Sequence, residues 1–481
     1  MTEKTDILIR KYFKLLVGVI LAVSAALYFL LIGSKYVTAD ESYTFALIRH
    51  GFGDVWRITA ADVHPPLYYF LLKIFIAPFG YSLIAARVFS VIPYLLIQLF
   101  GAIQFRKLFE EKTALVFMIS FLCYPFGLSF VYDVRMYSLC ALFLFICAVS
   151  AYKSILSGRF KDFLICSVFA EACAYTHYFA MVAAGFVMLL LLIAVLVRDK
   201  KLFKYWIAGV ALIVVLYLPW IKEFVAQLVF KANHKYWIEE ITLRTLYDDY
   251  FPTMFGSKGM AWFYWCFAIL HFVLLICVIV SGQKSRIAAC IGLLIVPLGT
   301  MLLGVGVSLA VRPVFIVRYL SPCVPLVAAF LAISIGALSK KSMTAVALII
   351  ILIGGVSNYS AVFKEVHRQR ENELDETFVE KYRDCSGYIV ATKTSHILQT
   401  LAYFDREKPI FRMDGAISAA NPYENLQPLS LLDPEKEDCL VYICKPGDLP
   451  EEKYEKDYDF EPSGALNSNG HNADVFILRR K

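Results

Sequence analysis

The chain has 481 residues, of which 59% are hydrophobic, 15% aromatic and only 18% charged, with a mean hydropathy of +0.62. A soluble domain carries about 25% charged and about 45–50% apolar residues, so this composition excludes an ordinary soluble protein and points to a chain solvated mostly by lipid. The net charge of +7 is no signal for nucleic acid, because the basic residues fall in short blocks between apolar runs, where they set topology.

A helix needs about 20 apolar residues, with a range of about 17–25, to cross the hydrocarbon. Spans are predicted at residues 15–32, 84–105, 113–130, 137–152, 163–175, 178–197, 205–220, 260–280, 287–311, 319–338 and 343–359, about eleven in all. The first follows Arg10, Lys11 and Lys14 and has no convincing small-residue cleavage site, which reads as a retained signal anchor. The fifth is short, and the turn to the sixth is tight. One set of loops holds Arg106, Lys107, Lys112, Lys153, Arg159, Lys161, Arg198, Lys200, Lys201, Lys204, Lys284, Arg286, Lys340 and Lys341. The short loops of the other set hold only Arg135, Arg312 and Arg318. Basic loops stay cytoplasmic, so the N-terminus is expected in the cytoplasm of a cell-membrane protein and the C-terminus outside.

Two long outer loops follow from this count, at residues 33–83 and 221–259. Within the first, Leu67–Phe79 is too short to span and is expected to lie along the membrane surface. A twelfth or re-entrant span there would invert everything after it and spoil the charge pattern. Residues 1–361 form the membrane domain in this reading, and residues 362–481 a small extracytoplasmic α/β domain. In the latter, residues 363–375 have a charged helical pattern, 395–404 another helical one, and 388–391, 440–444 and 475–478 are β-prone. Of twelve cysteines, most lie in apolar runs as small hydrophobes. A disulfide among Cys385, Cys439 and Cys444 is left open by the sequence.

Four constellations at outer ends of spans need an explanation, because hydrocarbon is costly for ionisable groups. Asp40-Glu41 is a pair of carboxylates suited to base catalysis or a metal, or else the start of a helix, with Asp40 as its cap. Asp62-Val63-His64-Pro65-Pro66 fixes Asp62 and His64 in a stiff turn before the surface helix. Asp133-Val134-Arg135-Met136-Tyr137 supplies an arginine whose planar fork suits a phosphate, and Arg312-Pro313 with Arg318-Tyr319 supplies a second site of that kind. Snorkelling at the interface is the plainer reading of both arginine sites. His177, in the tight turn between the fifth and sixth spans, is a weak metal candidate with Glu41 and His64. Glu171 lies inside a span and needs a partner.

Taken together, Asp40-Glu41 followed by His64-Pro65-Pro66-Leu67 resembles the protein O-mannosyltransferases and, with Pro-Pro-Leu kept, the bacterial aminoarabinose transferases of lipid A. Ala85-Ala86-Arg87-Val88-Phe89-Ser90 and Arg135-Met136-Tyr137-Ser138-Leu139 are similar to that family's elements at the second and fourth spans. The resemblance is densest over residues 15–152. It implies an all-α polytopic membrane protein of the C-type glycosyltransferase fold and a bacterial member. It also implies a polyprenyl-phosphate sugar donor and transfer with inversion to an unidentified acceptor, whether protein, lipid or envelope polymer. Asp40 matches the catalytic carboxylate, with Glu41 beside it. Arg135 and Arg318 would hold the lipid phosphate, while Asp62, His64 and Tyr137 would bind acceptor or donor. Val63-His64 departs from the acidic-basic pair of the aminoarabinose branch, which leaves a divalent metal open. A transporter or lipid flippase is the main rival, but such proteins place ionisable groups near the midplane on broken helices. A membrane scaffold that presents the C-terminal domain would leave Asp40, His64 and the two arginines without a purpose.

Overall fold

The protein was analysed as a computed structural model, which describes residues 3–34, 36–232, 238–255, 263–368, 372–392, 395–412, 418–468 and 470–481. Helices dominate its first three quarters. They are α1 (Glu3–Leu31), α2 (Ala39–Arg49), α3 (Phe52–Ala61), α4 (Leu67–Ile76), α5 (Leu83–Leu108), α6 (Glu111–Leu122), α7 (Tyr137–Ser157), α8 (Phe160–Ala174), α9 (Tyr178–Arg198) and α10 (Phe203–Ala232). Short α11 (Leu243–Thr245) and α12 (Phe251–Phe255) precede α13 (Phe263–Val280), α14 (Lys284–Ala310), α15 (Val324–Gly336) and α16 (Lys341–Val366). Among the described residues nine helical segments are long and apolar enough to cross a membrane, which makes this a multi-pass membrane protein.

The chain divides into two compact units. The first comprises residues 1–32, 63–68 and 82–365, and the second residues 33–62, 69–81 and 366–481. In the first unit, α7 packs against α5, α8 and α9, while α15 packs against α6 and α14. Small residues allow the close approaches. A Cβ on Gly101 of α5 would fall against the Phe117 ring of α6, and one on Gly304 of α14 would meet Phe315 and Phe179. Helices in lipid associate through such contacts, because lipid tails give them no hydrophobic drive.

Each predicted span contains helix, and two fall short of the spanning length. Over residues 113–130, α6 stops at Leu122, where Pro125 opens a 3-10 turn over Pro125–Phe130. Proline lacks the N–H that an α-helix needs there, and the Asn358 side chain donates to the Pro125 carbonyl at 2.7 Å. The predicted 163–175 span is α8, of 15 residues. Conversely, α10 does not end near residue 220 but runs through Pro219 to Ala232, so part of the expected 221–259 loop is helix. Membrane helices tolerate an internal proline when neighbours satisfy the freed carbonyl. Residues 233–237 and 256–262, which include the start of the predicted 260–280 span, lie outside the described residues.

In the second unit, a six-stranded sheet has the order β3-β2-β1-β4-β6-β5. Its strands are β1 (Gly387–Val390), β2 (Ile410–Arg412), β3 (Leu426–Pro428), β4 (Cys439–Cys444), β5 (Tyr458–Ser468) and β6 (His471–Arg480). The first four are parallel, and β6 and β5 form an antiparallel hairpin on the β4 edge. Helix α17 (Glu376–Lys381) precedes the sheet, and α18 (Ser395–Phe404) follows β1. Alternation decides the two faces: Tyr388, Val390, Val441 and Ile443 meet Ile397 and Leu401 of α18, whereas Ile389, Leu440 and Tyr442 meet Tyr454 and Tyr458. Ala46 of α2 packs against the α18 side, so a helix from early in the chain completes a core made at its end.

The expected 395–404 helix and three of the strands are present. The expected helix over 363–375 is not: α16 ends at Val366, residues 369–371 lie outside the described residues, and Asp375 instead caps α17 by accepting from Thr377 and Phe378. Strands β2 and β3, at three residues each, carry too little alternation to be read from sequence. Cys385 and Cys439 form a disulfide, and Cys444 is free and buried.

Candidate active site

Two prolines and a tight turn build the site in the first unit. Pro65 and Pro66 are buried and have no N–H, so Leu67 offers the next donor, and it gives it to the Tyr175 carbonyl at 3.1 Å. This bond holds the His64 turn against the α8–α9 turn, which carries His177. Arg135, 3% exposed, brings its Nη2 to 3.3 Å from His64 Nε2. Its loop is pinned from α5, because the Ser90 hydroxyl donates to the Asp133 carbonyl at 2.7 Å. Arg87, also buried, donates to the Ile32 carbonyl at 3.1 Å and so ties the end of α1 to α5.

His177 sits at the centre. Its ring lies 6.1 Å from His64, 5.9 Å from Tyr137 and 4.8 Å from Tyr319, centroid to centroid. Phe179 stacks on Tyr319 at 5.2 Å and lies 6.3 Å from His177. Burial, and then the positive field of His64, Arg135 and Arg318, holds His177 well below its ordinary pKa of 6.5. The ring is therefore neutral at physiological pH. Its Nδ1 accepts the Phe179 N–H at 3.2 Å, which leaves the proton on Nε2 and makes that edge a donor. Thus His64, Arg135, Tyr137, His177, Arg318 and Tyr319, read as separate constellations along the sequence, form one cationic, donor-rich cluster, in which Arg135, Tyr137, His177 and Tyr319 are buried and His64 and Arg318 half-buried.

Such a cluster attracts an anion. It suits a metal poorly, since His177 presents a donor, His64 faces a guanidinium and the local field repels cations. Among the described residues no group of three or more His, Cys, Asp or Glu side chains is placed to hold a metal ion. The geometry supports no metal at His64 or His177, and no step is routed through one.

The second unit carries the acidic residues. Thr38, not Asp40, caps α2: its hydroxyl accepts from the Glu41 N–H, and Glu41 Oε2 accepts from the Thr38 N–H at 3.1 Å. This reciprocal pair is a capping box, so the carboxylate of Glu41, 1% exposed, is already engaged in structure. Asp40 is half-buried on the first turn. Tyr43, one turn on, donates to Asp62 at 3.3 Å and to the Ala420 carbonyl at 3.4 Å. The Ser42 hydroxyl donates to the Gln399 carbonyl and lies 3.2 Å from the Tyr423 hydroxyl. His50 Nε2 meets the Pro422 carbonyl at 2.8 Å, and Phe45 meets Tyr403 edge-on at 5.4 Å. The α2 helix is therefore fastened along its length to residues some 350 positions later. Sequence reasoning missed Gln399, Tyr423 and His396 in this role; no local signal marks them, because only tertiary pairing brings them to α2. Glu171 is 5% exposed in α8, and among the described residues both its carboxyl oxygens lack a hydrogen-bond partner.

Residues 63–221 match the family model described as dolichyl-phosphate-mannose-protein mannosyltransferase. The solved structure of ArnT from Cupriavidus metallidurans in the apo state is similar over 96% of this chain and 97% of that one, with a TM-score of 0.66 at 12% identity. The same protein bound to undecaprenyl phosphate aligns over the same shares with a TM-score of 0.60. No curated protein sequence matches the chain. The chain thus has the C-type glycosyltransferase fold expected from its sequence, with a small C-terminal sheet domain. In fold it is similar to ArnT, and the segment that matches the mannosyltransferase family model, residues 63–221, contains His64, Arg135 and His177.

Proposed function

We propose that the protein transfers a sugar from a polyprenyl phosphate to an acceptor at the outer face of the membrane, with inversion. The observation that carries this reading is the cationic cluster of His64, Arg135 and Arg318 around the buried His177, which lies within the family-matched segment save for Arg318. The bound undecaprenyl phosphate of the ArnT relative supports the choice of donor.

The chemistry follows from charge. In the reactant, the donor phosphate is a diester with one negative charge. As the bond from the anomeric carbon to the phosphate oxygen breaks, its electron pair passes to the phosphate, whose second charge then develops. Arg135 and Arg318 stabilise that charge as guanidinium donors, and His177 Nε2 and Tyr137 add neutral donors; groups aimed at developing charge lower the barrier most. On the other side, Asp40 takes the proton from an acceptor hydroxyl or amine while the acceptor atom bonds to the anomeric carbon from the opposite face. Glu41 holds the helix start that presents Asp40, and Asp62 is bridged by Tyr43 to the same helix.

Orientation is part of the proposal. The basic loops argue for a cytoplasmic N-terminus, and the Cys385–Cys439 disulfide suits an oxidising exterior for the C-terminal domain. The test is turnover of a panel of radiolabelled polyprenyl-phosphate sugars by the full chain in lipid. Wild type is expected to release or transfer sugar, and Asp40→Asn to do so about 10²–10⁴ times more slowly with donor binding retained. Equal rates would remove Asp40 as the base, and no turnover of any donor would overturn the transferase reading.

A further inference from the structure

The second unit holds a crevice of mixed polar and apolar lining that the transfer chemistry does not use. Its volume is about 180 Å³, and Tyr43, Ser395, Gln399, Arg412, Ser418 and Asn421 contribute to its lining. A water takes up roughly 30 Å³ in the liquid, so the space admits one phosphate or one sugar-sized group. Its position has a reason in the fold. Arg412 ends β2, in register with Val390 at the end of β1. Open parallel sheets gather ligands outside the carboxyl ends of their strands, where the strand order turns back on itself. Here β1 is that point, with β2 on one side and β4 on the other.

Two further features select the ligand. Among the described residues Arg412 is the one charged residue lining the crevice, and no carboxylate among them lies within ion-pair distance of it. A guanidinium beside hydroxyl and amide groups, with no counter-charge among the described residues, is suited to bidentate recognition of a phosphate or carboxylate. Tyr43 lines the crevice from α2 and lies on the same helical face as Asp40, three residues earlier. The start of α18 also faces Asp40: His396 is held below its ordinary pKa by burial and by His471, against the opposing pull of Asp40.

We infer that this crevice, built jointly by α2 and the C-terminal sheet domain, binds an anionic group of the acceptor and so presents the acceptor's nucleophile near Asp40. The inference rests on the transferase reading for its purpose, but not for its test. Binding of galactose 6-phosphate, galacturonate and neutral galactose to the full chain in lipid nanodiscs would be followed by saturation-transfer NMR, with no donor present. At least one anionic sugar is expected to bind wild type, to bind equally to an Arg135→Gln/Arg318→Gln chain, to bind Arg412→Gln about tenfold or more weakly, and to recover with Arg412→Lys. Neutral galactose is expected to give no such difference. The phosphate and carboxylate arms report which anion the site takes. Binding that is absent from every form, unchanged by Arg412→Gln, equal for neutral galactose, or lost only with Arg135 and Arg318 would overturn the assignment. None of these outcomes depends on turnover, so they are separable from failure of the Asp40→Asn experiment.

Discussion

At the scale of single residues, the two units divide the labour by charge. The first collects cations and neutral donors around His177, and the second presents carboxylates on α2. His177 makes the division measurable. Its native pKa lies well below 6.5, whereas an unfolded histidine titrates near that value. Below pH 6.5 the unfolded chain therefore takes up a proton that the native chain resists, so stability is fully present above that pH and falls as pH is lowered. Replacing His177 with Gln should flatten the fall of thermal stability as pH drops below about 6.5. A dependence as steep as that of wild type would show that the ring is not held neutral. Much of the residue-level site was legible in the sequence, because ionisable groups at span ends stand out against an apolar background. His64, Arg135, Tyr137, His177 and Arg318 were all picked out there. That they converge was not legible, since the Leu67–Tyr175 hydrogen bond that joins two of their turns leaves no trace in local pattern.

At the scale of elements, the membrane unit depends on close helix approaches. Helices α5 and α6 meet where Gly101 lies under the Phe117 ring, and Phe117 in turn stacks on Phe145 of α7 at 5.1 Å. Gly101→Val would force that aromatic stack apart at a cost of about 1–3 kcal/mol. The expected result is a lower melting temperature in detergent, and an unchanged one would mean that the helices separate freely. Spans were readable from length and apolarity alone, as was the 395–404 helix from its periodicity. Proline accounts for one departure, where α6 breaks at Pro125, but not for another, where α10 continues through Pro219. A proline's effect depends on whether neighbouring groups take up the carbonyl it frees, and sequence does not name those neighbours. The short parallel strands β2 and β3 escaped notice for a related reason: three residues buried by partners need no alternation of their own.

At the scale of the whole molecule, the second unit is assembled from three separate stretches of chain. A polypeptide ending at Val366 would lack every partner that α2 has in residues 395–423, including Gln399, Tyr403, Pro422 and Tyr423. It should insert in the membrane and retain donor binding at Arg135 and Arg318, yet lose sugar transfer. Full activity in such a chain would show that α2 holds its shape unaided and that the C-terminal domain is dispensable. The same arrangement bears on biosynthesis. Ser42 leaves the ribosome 357 residues ahead of Gln399, and at about 5–20 residues per second that interval is on the order of tens of seconds. Throughout it, α2 lacks the late partners that fasten it, so a prematurely terminated translation product would carry Asp40 on a helix without its seat.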